Sequence, residues 1–371
     1  MDKSDIENDE LAEIKESRQL SLFKLLDEAE LTNSNKHLEY TNSIGSIDII
    51  PRFWRGKNSA FSKDEATKRA ITCTNTYTFS NRKFKAVISP AILTRTNDKG
   101  QEEEYFAYPG DREELIEKVL FLIATKDGLH SIRNGNQVRY GVFFSLYRVR
   151  EELKKINKTR SYDAIKESLM ILKDSRIKIT SENSDGVEYT ITHDIFSDAV
   201  LESSGVGRGK NRYWIGFSDY LVGEILKLNY RQVLYSRFTN YSSALSRFLD
   251  LYLSNAWKNA TYNTTTRISL NRIMENFGKK QVQLDSKRRD MRQALLDLEK
   301  AGVIQNVPYA EKTIDDEGCD DYVYDLLPTK KFVDEIIKAN AKHKGLRKLS
   351  EGIEQNTITH IGTKKQRLTS I

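Results

Sequence analysis

Between residues 111 and 327 one order of signals occurs twice: helix, strand, helix, polar turn, helix, hairpin. This recurrence constrains the fold more than any other property of the chain, because a repeated order must bury a repeated set of faces. In the first pass Asp111 and Glu114 form a capping-box pattern, Leu115, Val119, Leu122 and Ile123 supply an apolar stripe, and Gly128 stops it. Residues 138–144 follow as a strand. Ser145 then caps a helix with Leu146, Val149, Leu153 and Ile156 inward. After the polar turn 157–160, Ser161 caps another that buries Ile165, Leu169 and Leu172. Residues 177–180 and 187–192 alternate around Ser184-Asp185-Gly186, a hairpin signal.

A Gly-rich stretch, 203–210, sets off the second pass. A helix over 242–257 carries Leu245, Phe248, Leu249, Tyr252 and Leu253, and 266–268 can pair as a short strand. Ser269 caps a helix that runs to Phe277 and ends at Gly278. Ser286 opens the last helix, with Met291, Leu295 and Leu298 inward and Gly302 at its end. Residues 303–307 and 322–327 frame a hairpin around an acidic turn. This is the winged-helix order, a helix-turn-helix followed by a β-hairpin wing. The expected architecture is α+β, with two tandem winged-helix domains at 61–205 and 211–335. A flexible acidic leader over 1–60 precedes them and a flexible basic tail over 340–371 follows. The strand-rich stretch 65–108 reads as an extra DNA-contacting or interdomain element.

The net charge of +6 is unevenly spread. Acidic side chains dominate residues 1–30, whereas residues 226–300 hold fourteen basic side chains against six acidic ones. A basic second half suits contact with phosphates. With the core residues of each last helix turned inward, Ser286, Arg289, Arg292 and Gln293 face outward in the second unit, with Lys287 and Arg288 near its N-terminus. Arg suits guanine O6 and N7, Gln suits adenine N6 and N7, and a helix N-terminus suits a phosphate. Lys279 and Lys280 stand in the turn just before. The first unit turns Asp163, Glu167 and Met170 outward, with Lys166 at the edge, and two carboxylates there repel a DNA backbone. Major-groove readout is therefore expected from the second unit, and phosphate contact from Lys158, Thr159 and Arg160 of the first.

Catalytic signatures are missing. Position 204 is Ser and 211 is Asn, so Gly205–Lys210 does not make a P-loop. The five histidines are isolated from one another, and Cys73 and Cys319 have no metal-ligand company. No cofactor, metal or enzymatic activity is expected. The charged N-terminus and the lack of a bilayer-length apolar run point to a cytoplasmic protein without a membrane partner.

The leader holds one further motif, Gln19-Leu20-Ser21-Leu22-Phe23. It can be a helical turn that docks its apolar side chains on the protein's own surface. It can equally be a linear peptide whose Leu and Phe fill a partner's pocket while Gln19 bonds the rim. At all five positions the string is similar to the pentapeptide with which bacterial polymerases and their helpers bind the sliding clamp. A leader carrying it ahead of two winged-helix units resembles the TrfA type of plasmid replication initiator, within the wider class of iteron-binding Rep proteins. That resemblance implies binding of direct repeats, opening of an adjacent A+T-rich segment with contact to single-stranded DNA, and recruitment of the sliding clamp, host initiator and replicative helicase. It also implies that the second unit reads the repeat, and that the first dimerises or adds DNA contacts, the homodimer being the inactive form. A transcriptional repressor could use the same domains and would leave the pentapeptide without a role.

Overall fold

The computed structural model describes residues 16–24, 39–62, 65, 72–96, 99–134, 137–182, 188–200 and 212–368. In chain order the first core draws on a short helix over 16–21 (α1), β1 (Tyr40–Ser43), α2 (Gly45–Asp48), β2 (Ala60–Ser62), β3 (Cys73–Phe79), β4 (Arg82–Ser89), β5 (Ala91–Thr96) and β6 (Glu102–Ala107). It continues through α3 (Asp111–Asp127), β7 (His130–Asn134), β8 (Gln137–Phe144), α4 (Leu146–Lys155), α5 (Tyr162–Asp174), β9 (Arg176–Glu182), β10 (Glu188–His193), β11 (Phe196–Val200), β12 (Tyr213–Phe217), α6 (Asp219–Leu226), β13 (Arg231–Leu234) and α7 (Tyr235–Thr239). The second core comprises α8 (Ala244–Ala256), β14 (Thr266–Ser269), α9 (Leu270–Asn276), α10 (Leu284–Lys300), β15 (Glu311–Ile314), β16 (Asp320–Leu326) and α11 (Lys330–Leu368).

Every sheet is antiparallel, with strand orders β1-β13, β2-β6-β5, β10-β9-β4-β3, β11-β12-β8-β7 and, in the second unit, β14-β16-β15. Helix α3 runs through the first core, and Ile116, Val119, Leu120, Leu122, Ile123 and Ala124 are fully buried on it. A helix apolar on most of its circumference belongs inside a domain. Its cap differs from the expected box. Gly110 is the N-cap and donates its N–H to Glu113 Oε2 at 2.9 Å, while Glu114 is drawn into an ion network described below. Ser145, Ser161, Ser243 and Ser269 each cap a helix by accepting a backbone N–H, and Gly278 closes α9 at φ +84°.

One open reading is decided and three expectations need correction. The strand-rich stretch is an interdomain element: β4 extends the hairpin β9–β10, and β3 reaches the second unit, where Thr78 N–H donates to Asn276 Oδ1 at 2.8 Å and Asn276 Nδ2 returns a bond to Thr78 O at 3.2 Å. Residues 212–238 pack in the first core rather than the second, because β12 inserts between β11 and β8 and brings Phe217, Leu221 and Ile225 with it. The Gly-rich stretch 203–210 lies outside the described residues. In the second wing 303–307 is not a strand: Val303 and Ile304 point into the core, Ile304 makes a single bridge to Pro328, and the hairpin forms later as β15–β16. Pro308, which has no N–H to give, stands in the way of a longer ladder.

The leader and tail are the fourth. Residues 39–62 are part of the fold, since β1 pairs with β13 and Ile44, Ile47, Ile50 and Phe53 are buried. The expected basic tail is helix α11, which crosses both units like a strap: Phe332, Val333 and Ile336 enter the second core and Leu346 the first. Between these anchors its contacts are polar, with Glu335 paired to Arg237 and Asn340 accepting from Arg231 Nη2 at 2.6 Å. No helix among the described residues is long and apolar enough to cross a membrane.

Candidate nucleic-acid interface

A groove of about 580 Å³ separates the two units and is open to solvent. Lys57, Lys158 and Arg160 line it from the first unit, and Lys279 and Gln293 from the second. The turn after α4 carries Lys158, Thr159 and Arg160. Lys158 and Thr159 are exposed, Arg160 is half-buried, and the Arg160 guanidinium donates only to the Thr159 carbonyl, at 3.0 Å. Lys57, Lys158 and Arg160 form no salt bridge among the described residues. The sequence had separated these side chains by more than a hundred positions, and the fold places them on one rim.

The other rim is α10. Met291, Ala294, Leu295 and Leu298 face the second core, so Arg288, Arg289, Arg292 and Gln293 come out on the exposed face. Arg289 reaches Ser286 Oγ at 3.5 Å and Arg292 pairs with no carboxylate among the described residues; Gln293 Nε2 donates to Asp297 Oδ1 at 3.3 Å. The remaining predicted residues are less free. Lys287 is 8% exposed, donates to Asn271 Oδ1 at 3.0 Å and has its pKa lowered by burial; it lines a second groove on the other side of α10 rather than the one between the units. The helix starts at Leu284, so Ser286 is a half-buried residue of the first turn instead of a cap, and Lys287, four residues before Met291, falls on the buried stripe. Arg288 lies over the Tyr322 ring at 4.1 Å, on the wing side. Lys279 pairs with Asp290 at 3.2 Å, and Lys280 with Glu275 and Glu317 at 3.1 and 3.2 Å. In the first unit Glu167 does not face outward alone: it accepts from Tyr105 OH at 2.6 Å and pairs with Arg112 at 2.8 Å.

The wall of the groove holds the two units in register. Glu114 on α3 pairs with Arg55 at 2.9 Å and with Arg247 of α8 at 3.2 Å, all three being buried or nearly so. Arg55 also stacks over Phe277 at 4.4 Å. Burial alone would raise the Glu114 carboxyl, but the guanidiniums of Arg55 and Arg247 overturn that and hold it at about 2. Arg55 and Lys57 were missed in the sequence because they fall within residues assigned to the leader. The local signal was there, in Trp54-Arg55-Gly56-Lys57, a basic aromatic string unlike the acidic residues before it.

The pentapeptide is far from this groove, and its accessible form is a correction. Phe23 is 0% exposed, Leu20 and Leu22 are buried in the first core, and Ser21 alone of the five is exposed. The Phe23 ring meets Tyr230 edge-on at 4.9 Å, Tyr230 OH donates to Leu22 O at 2.8 Å, and Asn42 Nδ2 donates to Phe23 O at 2.6 Å. Gln19 donates to Leu226 O at 3.2 Å and to Ser350 Oγ on α11 at 2.6 Å. Among the described residues there is no group of three His, Cys, Asp or Glu side chains that could hold a metal ion.

No family model matches the chain, and no curated protein matches it in sequence. Similar solved structures include domains 2 and 3 of RctB, with a TM-score of 0.45 at 11% identity over 76% of this chain and 95% of that one. A second structure of RctB domains 2–3 gives 0.44 at 11% identity, over 80% and 99%. The Pi initiator protein in complex with iteron DNA gives 0.38 at 13% identity, over 59% and 91%. These likenesses are distant, and the functional reading below stands on the groove and on α10.

Proposed function

We propose that this chain is a sequence-specific duplex-DNA-binding protein, a plasmid replication initiator built on two winged helices. Helix α10 enters the major groove with Arg289, Arg292 and Gln293 toward base edges, while Lys57, Lys158 and Arg160 hold the phosphate backbone. One observation carries this reading: cations from the first unit that pair with no carboxylate among the described residues share a groove with Gln293, on the outward face of α10. Such cations can meet a phosphate without first giving up a carboxylate partner. The initiator role rests on the resemblance to iteron-binding Rep proteins. In that role the chain assembles on direct repeats, assists opening of an A+T-rich segment, and recruits the sliding clamp, host initiator and helicase, with a homodimer as the resting form.

The buried pentapeptide favours a second reading, a transcriptional repressor on the same scaffold, since clamp contact requires the peptide to leave its seat. Binding of the full-length protein to duplex from the region flanking its gene, against scrambled duplex at matched salt, tests the first claim. The Arg289→Ala/Gln293→Ala variant is run beside it. Preference for tandem direct repeats, lost in the variant, supports the initiator; preference for a single inverted repeat supports the repressor. Equal, salt-sensitive binding to every duplex rejects sequence-specific readout by α10.

A further inference from the structure

The wing side of α10 differs from the groove side in one respect. There Lys83, Arg272 and Lys280 are engaged by the acidic turn between β15 and β16, Lys280 also by Glu275 of α9 at 3.1 Å. Glu317 sits between Lys83 Nζ at 3.1 Å and Lys280 Nζ at 3.2 Å, and Asp316 lies 3.5 Å from Arg272 Nη2. Together they border a second groove, of about 420 Å³. Lys83 comes from the β3–β4 hairpin, Arg272 from α9, and Lys280 from the turn just ahead of α10. We propose that Lys83, Arg272 and Lys280 form a second phosphate-binding locus, for which the carboxylates of the acidic turn compete with a DNA backbone and hold it only partly filled.

Three observations support the exchange. A wing beside a DNA-reading helix is placed to meet the backbone, and this wing flanks α10 through the Arg288–Tyr322 contact. Asp316 and Glu317 are exposed, at 90% and 47%, so both can swing clear. Exposed ion pairs of this kind contribute little, whereas a phosphodiester backbone also releases condensed counterions on contact. Arg267 is not part of the locus, because Asp325 grips it twice, at 2.9 and 2.7 Å.

The inference rests on duplex binding by α10. Its test is the salt dependence of binding to a defined duplex oligonucleotide that the wild-type protein binds, comparing full-length wild type with Asp316→Asn/Glu317→Gln. The variant should bind at least several-fold tighter at low salt. Its slope of log K against log salt should be steeper by roughly 0.9 for each phosphate gained, so by roughly one to three. Adding Lys83→Gln and Lys280→Gln to the variant should reverse both effects. An unchanged slope, or a gain in affinity that persists without the two lysines, overturns the locus and leaves the α10 reading standing. Failure of the wild type to bind any duplex rejects the α10 reading itself and the locus with it.

Discussion

Glu114 holds one arginine from each side of the interface, and its protonation is therefore a stability question. Its carboxyl titrates at about 2 in the folded chain against an ordinary 4.5. A depressed carboxyl contributes its full stabilisation above the unfolded value and loses it as pH falls toward the folded one. At roughly 1.4 kcal/mol per pH unit the contribution is on the order of 3 kcal/mol, present above pH 4.5 and lost below. Glu114→Gln should destabilise by about 3–5 kcal/mol at pH 7, because it leaves the buried Arg247 guanidinium uncompensated and Arg55 with Asp111 alone. Urea unfolding between pH 5 and pH 3 should then be flatter in the variant than in wild type, and parallel curves would remove the pairing as the cause. On α10, Arg289→Ala and Gln293→Ala should each cost about 1–3 kcal/mol of discrimination between target and scrambled duplex, measured by competition at fixed salt. Lys57→Ala should instead weaken both duplexes alike and lower the salt slope by about 0.9. The outward set Arg289, Arg292 and Gln293 was legible in the sequence from helical period alone. Lys287 was legible by the same period, since it stands four residues before Met291 on the inward stripe, although its place near the N-terminus drew it into the expected set.

At the level of elements, caps and stops were the most readable signals. Ser145, Ser161 and Ser269 act through a local bond to a backbone N–H, and that bond owes nothing to distant packing. Helix α11 was unreadable for the opposite reason. Its apolar anchors are divided between two cores and separated by a polar middle, so no single window shows a stripe. The strap has a measurable duty. Leu346→Ala should cost about 2–5 kcal/mol, and the loss should appear first as faster hydrogen exchange at residues 19–23. If exchange rises equally along 332–336, α11 behaves as one rigid body and does not gate the peptide separately.

For the whole molecule, strands pair across the boundary expected from sequence. Strand β1 pairs with β13, matching Tyr40 to Leu234, and β12 fills the middle of a sheet whose other strands precede residue 201. Hydrophobic period marks which residues are buried and leaves their strand partners open, so the tandem order was visible while the division between units was misplaced. A fragment ending at residue 205 should therefore lack cooperative unfolding by circular dichroism, because it exposes two unpaired strand edges in the interior of a sheet. The intact chain should unfold in a single transition, since Glu114–Arg247, Thr78–Asn276 and α11 tie the units at three places. Two resolved transitions would mean that these ties are weaker than either core.

The contact between Gln19 and Ser350 joins residues 331 positions apart. During translation the first of them leaves the ribosome long before the second is made. At about 5–20 residues per second the interval is roughly 15–70 s. Early in it Gln19–Phe23 has neither seat nor lid; Leu226 and Tyr230 supply half of the seat late in that interval, and the lid comes last. A nascent chain thus offers the pentapeptide to its surroundings, and a finished chain withdraws it. Age since synthesis, rather than any added ligand, becomes the variable that sets whether this segment can be captured.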